Sequence, residues 1–127
     1  MIDYRHATLC KLQERRTQLE PALKHQNDGW EWSHIYEGVA AGRLSFWWND
    51  SSSAVLELRQ YPGCTALHIF IAGGTTEGLL DLYQYVAEYG RKYGVRKMTT
   101  LCRQGFSKKL PQHGWTTKKM IWYEKEL

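Results

Sequence analysis

Residues 64–94, CTALHIFIAGGTTEGLLDLYQYVAEYGRKYG, decide how the chain folds. Cys64–Ala72 is an apolar run rich in Ile, Leu and Phe and reads as a strand. Gly73, Gly74, Thr75, Thr76, Glu77 and Gly78 make a glycine-rich turn. A helix over Thr76–Tyr93 follows at once: Leu79, Leu82, Tyr83, Val86, Gly90 and Tyr93 form its apolar stripe, and Gly94 stops it. Val95–Leu101 then reads as a second strand. Strand, helix, strand is a crossover, which is right-handed and places its two strands parallel in one sheet. The turn itself has two readings. Backbone N–H groups at a helix N-terminus can cradle a phosphate-bearing ligand, and the same sequence can simply turn a corner.

Upstream of this unit, residues 5–25 carry Leu9, Leu12, Leu19 and Leu23 at helical spacing, and Pro21 is expected to end or kink that helix. A second helix is expected over Trp32–Ala41, closed by Gly42. Arg43–Asn49, Ala54–Tyr61 and Cys64–Ala72 read as three strands of an antiparallel meander, with SSSA at 51–54 and Pro62-Gly63 as turns. Downstream, a short helix over Phe106–Gln112 is cut by Pro111, and Trp115–Glu124 is expected as a last strand. The order is two N-terminal helices, meander, crossover, then a C-terminal helix and strand. This is an α+β chain (an α/β mixed sheet) in a single domain 1–127, helical over 1–42 and sheet-bearing over 43–127.

The chain has 127 residues, 43% of them apolar, with six Trp and eight Tyr, enough for one core and one domain. No run approaches the ~20 apolar residues that span a bilayer. The N-terminal MIDYRHATLCKLQERR has no apolar signal core, so the expectation is a protein neither secreted nor transmembrane. Cys10, Cys64 and Cys102 have no pairing or metal-ligand spacing and read as free thiols. The net charge of +4 divides unevenly. Residues 1–89 hold 7 Lys and Arg against 11 Asp and Glu, while residues 90–127 hold 10 against 2. Such a division suits a basic face for an anionic ligand or an acidic partner, and it equally suits ordinary solubilising charge. No zinc-ligand spacing and no Gly-x-Ser-x-Gly occurs.

ALHIFIAGG, GLLDLYQYVAEYGRKYG and VRKMTTLCRQGFSKKLPQHGW occur in the order strand, turn, long helix, strand, short helix, and end in the pair Gly114-Trp115. In this the chain resembles the GNAT acyl-CoA N-acyltransferase fold over about residues 43–126. LxxWxND at 44–50, YPGxxxLHIFIAGG at 61–74 and RQGFxxxLxxHGW at 103–115 are similar, more narrowly, to small GNAT-like proteins of tailed phages, among them internal virion proteins that assist assembly.

The resemblance implies a cofactor turn, Arg/Gln-x-x-Gly-x-Gly/Ala, that receives a pyrophosphate. With Gly78 as its last glycine, Gly73 stands at the Arg/Gln position and Thr76 at the first glycine. One position of three agrees. Thr76 is β-branched where a backbone must close on a ligand, and the Glu77 carboxylate favours the helix dipole but repels a pyrophosphate. Thr75 or Thr76 can cap the helix instead. The cofactor candidates are thus Ile71, Gly73, Gly74, Thr75, Thr76, Glu77 and Gly78, with acetyl-CoA as the cofactor if the chain is an enzyme and none otherwise.

The family's proton-donating Tyr falls at Leu110, which cannot donate; His113 is the nearby acid. The catalytic candidates are Glu57 as a base on the second strand, His68 on an apolar strand, and His113. Each also has a plain structural reading, as a solvated carboxylate beside Arg59, a core histidine and an exposed one. Basic residues interleaved with Tyr93, Phe106 and Trp115 leave nucleic-acid binding as a weaker option. The candidate interaction surface is Trp30, Trp48, Arg103, Lys108, Lys109, Lys118 and Lys119. The expected function is a non-catalytic, phage-type GNAT-fold protein of the host cytoplasm or the virion. It would act through contacts with virion or assembly proteins or with copies of itself. The alternative is an acyl-CoA-dependent N-acetyltransferase acting on an amine.

Overall fold

The computed structural model describes residues 4–26, 28–102, 104–118 and 123–127. The elements are α1 (Tyr4–Glu14), α2 (Arg16–Lys24), α3 (Trp32–Ala40), β1 (Leu44–Trp48), β2 (Ser52–Tyr61), β3 (Cys64–Gly74), α4 (Thr76–Lys92), β4 (Lys97–Thr100), α5 (Gln104–Ser107) and a 3₁₀ turn (Leu110–His113). The sheet order is β1-β2-β3-β4. The first three strands are antiparallel, and β4 lies parallel to β3. This is the α+β mixed sheet expected from the sequence.

The sheet separates two cores. On one face Leu12, Leu19, Leu23, Trp32 and Ile35 of α1–α3 pack on Phe46, Val55 and Ile71. On the other, Leu79, Leu82, Tyr83 and Val86 of α4 pack on Ala54, Leu56, Leu67 and Ile69. One irregularity lets β3 serve both. Leu56 pairs with Ile69 but Val55 pairs with Ile71, so Phe70 is an extra residue in a β-bulge. Phe70 and Ile71 therefore both face the N-terminal helices, and Ala72 returns to the α4 side.

Several boundaries differ from the sequence expectation, each for a local reason. The break in the first helical stretch falls at Arg15, and Pro21 lies inside α2 without ending it. Arg15 donates from Nη1 to the Ser52 carbonyl at 3.2 Å and to Ser53 Oγ at 3.1 Å, which ties the junction to β2. The SSSA stretch is not a turn: β2 begins at Ser52. Asn49 makes the turn, its Oδ1 accepting from the backbone N–H groups of Ser51 at 3.2 Å and Ser52 at 2.8 Å. Tyr93 leaves the apolar stripe and is exposed, because the packing on β3 ends at Gly90, which lies against Val95 and Leu67. The helix over Phe106–Gln112 is instead α5 and the 3₁₀ turn, and Pro111 stands at the start of that turn, not at its end. Residues 115–118 and 123–127 form no strand, so the described parts of Trp115–Glu124 correct that expectation. Trp115 lies against Tyr83 instead, with ring centroids 6.1 Å apart. Lys119, Met120 and Trp122 are outside the described residues. Among the described residues no helix is long and apolar enough to cross a membrane.

Candidate functional site

The turn from β3 to α4 is built by close approach of the chain to itself. Gly74 has φ +118°, a conformation that favours glycine. Thr75 is extended and caps α4, its Oγ1 accepting from the Gly78 N–H at 3.0 Å. The Thr75 N–H donates to the Ser51 carbonyl at 3.1 Å, and Asn49 Nδ2 donates to the Gly78 carbonyl at 2.9 Å. A Cβ at Gly73 would collide with the Gln18 carbonyl, one at Gly74 with the Ser51 carbonyl, and one at Gly78 with Ser51 Oγ. The glycines thus make room, and what fills it is Gln18, Ser51 and Ser52.

Around them runs a polar network that the sequence reading missed. Gln18 Nε2 donates to the Ser51 carbonyl at 3.1 Å. Gln18 Oε1 accepts from Ser53 Oγ at 2.6 Å and from Arg15 Nη1 at 3.3 Å. Ser52 Oγ donates to Asn49 Oδ1 at 2.6 Å. Ser52 and Ser53 are fully buried, and among the described residues no buried side-chain polar atom lacks a partner. The signal for this was a run of serines directly after Asn49-Asp50, which is also what a surface turn looks like. Ile71, the remaining cofactor candidate, is buried under α1–α3. Thr76 and Glu77 form the first turn of α4.

Two of the three catalytic candidates are brought together. Glu57 and His68 are directly opposed on β2 and β3, and His68 is opposed to Thr99 on β4. The three side chains therefore form one row across the sheet, on the face that carries α1–α3. His68 Nδ1 and Thr99 Oγ1 share a hydrogen bond of 2.7 Å. Arg59 Nε donates to Glu57 Oε1 at 2.9 Å. Burial, and secondarily the Arg59 guanidinium, lower the His68 pKa below its ordinary value, with Glu57 pulling the other way. A neutral imidazole beside a paired carboxylate is able to accept a proton. His113 is exposed at the end of the 3₁₀ turn, in a segment whose Phe106 and Trp115 pack on the α4 side, so it does not join them. Leu110 is buried there.

The interaction candidates are dispersed. Trp30 packs edge-on against Phe70 at 4.8 Å, and Trp48 stacks on Phe46 at 4.9 Å; both remain partly exposed. Lys108, Lys109 and Lys118 are exposed, and Arg103 and Lys119 lie outside the described residues. An open groove of about 670 Å³ runs between α1, α2 and α3, lined by Arg16, Glu20, Trp30, Trp32, Tyr36 and Glu37. Its lining includes neither the residues of the turn nor Glu57 and His68. Among the described residues no group of three or more His, Cys, Asp or Glu could hold a metal.

No protein-family model matches the chain, and no curated protein matches it either. Its fold is similar to that of TTHA1254 from Thermus thermophilus. Against the crystal structure of a point mutant of that protein the TM-score is 0.58 at 15% identity, covering 74% of this chain and 78% of the other. Against the wild-type crystal structure it is 0.56 at 16% identity, covering 72% and 79%. At such identity the likeness concerns the fold alone.

Proposed function

We propose that this chain is a GNAT-like domain without acyltransferase activity that works through its surface, as a component of a tailed-phage virion or a factor in its assembly. The observation that carries the non-catalytic part is the occupied turn. Gln18, Ser51 and Ser52 lie against Gly73, Gly74 and Gly78, and Thr75 takes the Gly78 N–H that a pyrophosphate would need. The order β3-α4-β4 with parallel strands supports the GNAT-like assignment. The phage setting is supported by the likeness of LxxWxND, YPGxxxLHIFIAGG and RQGFxxxLxxHGW to such proteins. Thermal unfolding with 1 mM acetyl-CoA tests the first part. A micromolar site would stabilise the fold by roughly 4 kcal/mol through mass action, and no shift is expected. Mass spectrometry of purified particles, with co-purification from infected cells, tests the second. Absence from both the particle and every virion-protein complex would remove its support.

A second reading, an acyl-CoA-dependent N-acyltransferase acting on an amine, draws on the Glu57–His68–Thr99 row and on β3 continuing past Ile69 while its pairing with β4 stops at Thr100. A clear acetyl-CoA shift that His68→Gln leaves in place, with acetyl transfer that it abolishes, would establish this reading over the first.

A further inference from the structure

Tyr85, Tyr89 and Tyr93 recur every four residues and therefore lie along one side of α4 and its C-cap. They are 62%, 45% and 64% exposed. Trp47 of β1 extends them into a ladder. Its ring lies 6.2 Å from Tyr85 and 5.1 Å from Tyr89, and Tyr89 lies 4.6 Å from Tyr93. Packed edge-on at Trp47 and tilted between Tyr89 and Tyr93, these rings are held against one another before any partner arrives, so less side-chain entropy remains to be lost on binding. Leu58, also exposed, belongs to the same face of the sheet.

The charges beside the ladder select its occupant. Asp81, Glu88 and Lys92 are exposed and share the outer flank of α4, acidic toward its middle and basic at its end. Asp81 and Glu88 would repel the phosphates of a single-stranded nucleic acid laid along the rings. A second copy of the same helix, antiparallel about a two-fold near Tyr89, places Lys92 of each copy beside Glu88 of the other and Tyr85 opposite Tyr93. We infer that the Trp47–Tyr85–Tyr89–Tyr93 ladder is the centre of a homodimer interface in which two α4 helices pack antiparallel. The three tyrosines expose roughly 350 Å² per copy, against about 800 Å² per partner in a standard interface. The dimer is accordingly a weak one, with a dissociation constant in the micromolar range. It does not rest on the acyl-transfer question, since none of its residues belongs to the β3–α4 turn or to the Glu57–His68–Thr99 row.

Sedimentation velocity of the full chain from about 1 to about 200 µM is the test, because association is read from its concentration dependence. The wild-type protein is expected to pass from monomer to dimer. Tyr85→Ser and Tyr93→Ser, both at exposed positions, should each raise the dissociation constant about tenfold with thermal unfolding unchanged. Glu88→Lys or Lys92→Glu alone should weaken association about threefold, and the two together should restore it. A monomer throughout the range, a dimer indifferent to the tyrosines, or charge variants that the double exchange fails to rescue would overturn the inference. So would a 20-nucleotide oligothymidylate whose binding is lost in the tyrosine variants, since nucleic acid would then be the occupant.

Discussion

His68 is the one buried histidine of the sheet, held by Thr99 on one side and opposed to Glu57 on the other. Its folded pKa lies below the ordinary 6.5 because burial, and then Arg59, disfavour the cation. The unfolded chain therefore takes up this proton first as the pH falls. The stability due to neutral His68 is complete above about pH 6.5, and it declines from there toward the folded value as the solution is acidified. Urea unfolding between about pH 8 and about pH 5 should show a steeper loss of stability in the wild type than in His68→Gln. Equal slopes would mean that the site does not discriminate between the two protonation states. At this scale the sequence was informative about types but not about neighbours. The sequence placed Glu57 and His68 on neighbouring strands, yet their pairing depends on a register set by the Pro62-Gly63 hairpin. Thr99, which completes the row, had no pattern that marked it.

The strand–turn–helix element carries a different lesson. Its glycines, its N-cap and its helix were all legible, since caps and apolar stripes are short-range features. Which body the glycines approach was not, because Gln18 and Ser51 come from other parts of the chain. Their role can be measured. Gly73→Ala places a methyl on the Gln18 carbonyl and should cost about 3 kcal/mol of stability, whereas Gly63→Ala, with nothing near its Cβ, should stay within about 0.5 kcal/mol. Chemical denaturation of the two variants decides the matter. A Gly73→Ala protein as stable as Gly63→Ala would show that α2 does not close over the turn in solution. The same long-range tie accounts for the helix break at Arg15, since its guanidinium is committed to Ser52 and Ser53 and no local breaker marks the position.

Across the molecule, two cores share β2 and β3, so neither helical layer has a sheet of its own to pack against. Leu19→Ala under α2 and Leu82→Ala under α4 should each destabilise by about 3 kcal/mol. Both should shift one common unfolding transition, as far-ultraviolet circular dichroism and tryptophan fluorescence would show by coinciding. Separate transitions would mean that the two layers melt independently. Periodicity and turn residues were sufficient for the α+β class, the antiparallel meander and the parallel crossover, because each rests on a repeat of two or 3.6 residues read over one short segment. The bulge at Phe70, the serine network and the exposure of Tyr93 arise where the two layers meet the sheet, and no segment carries that information alone. IAGGTTEGLL is the clearest instance. The chemistry of its own residues makes it a turn and a cap, but only contacts from α2 and the start of β2 decide that the space beside it is filled by protein.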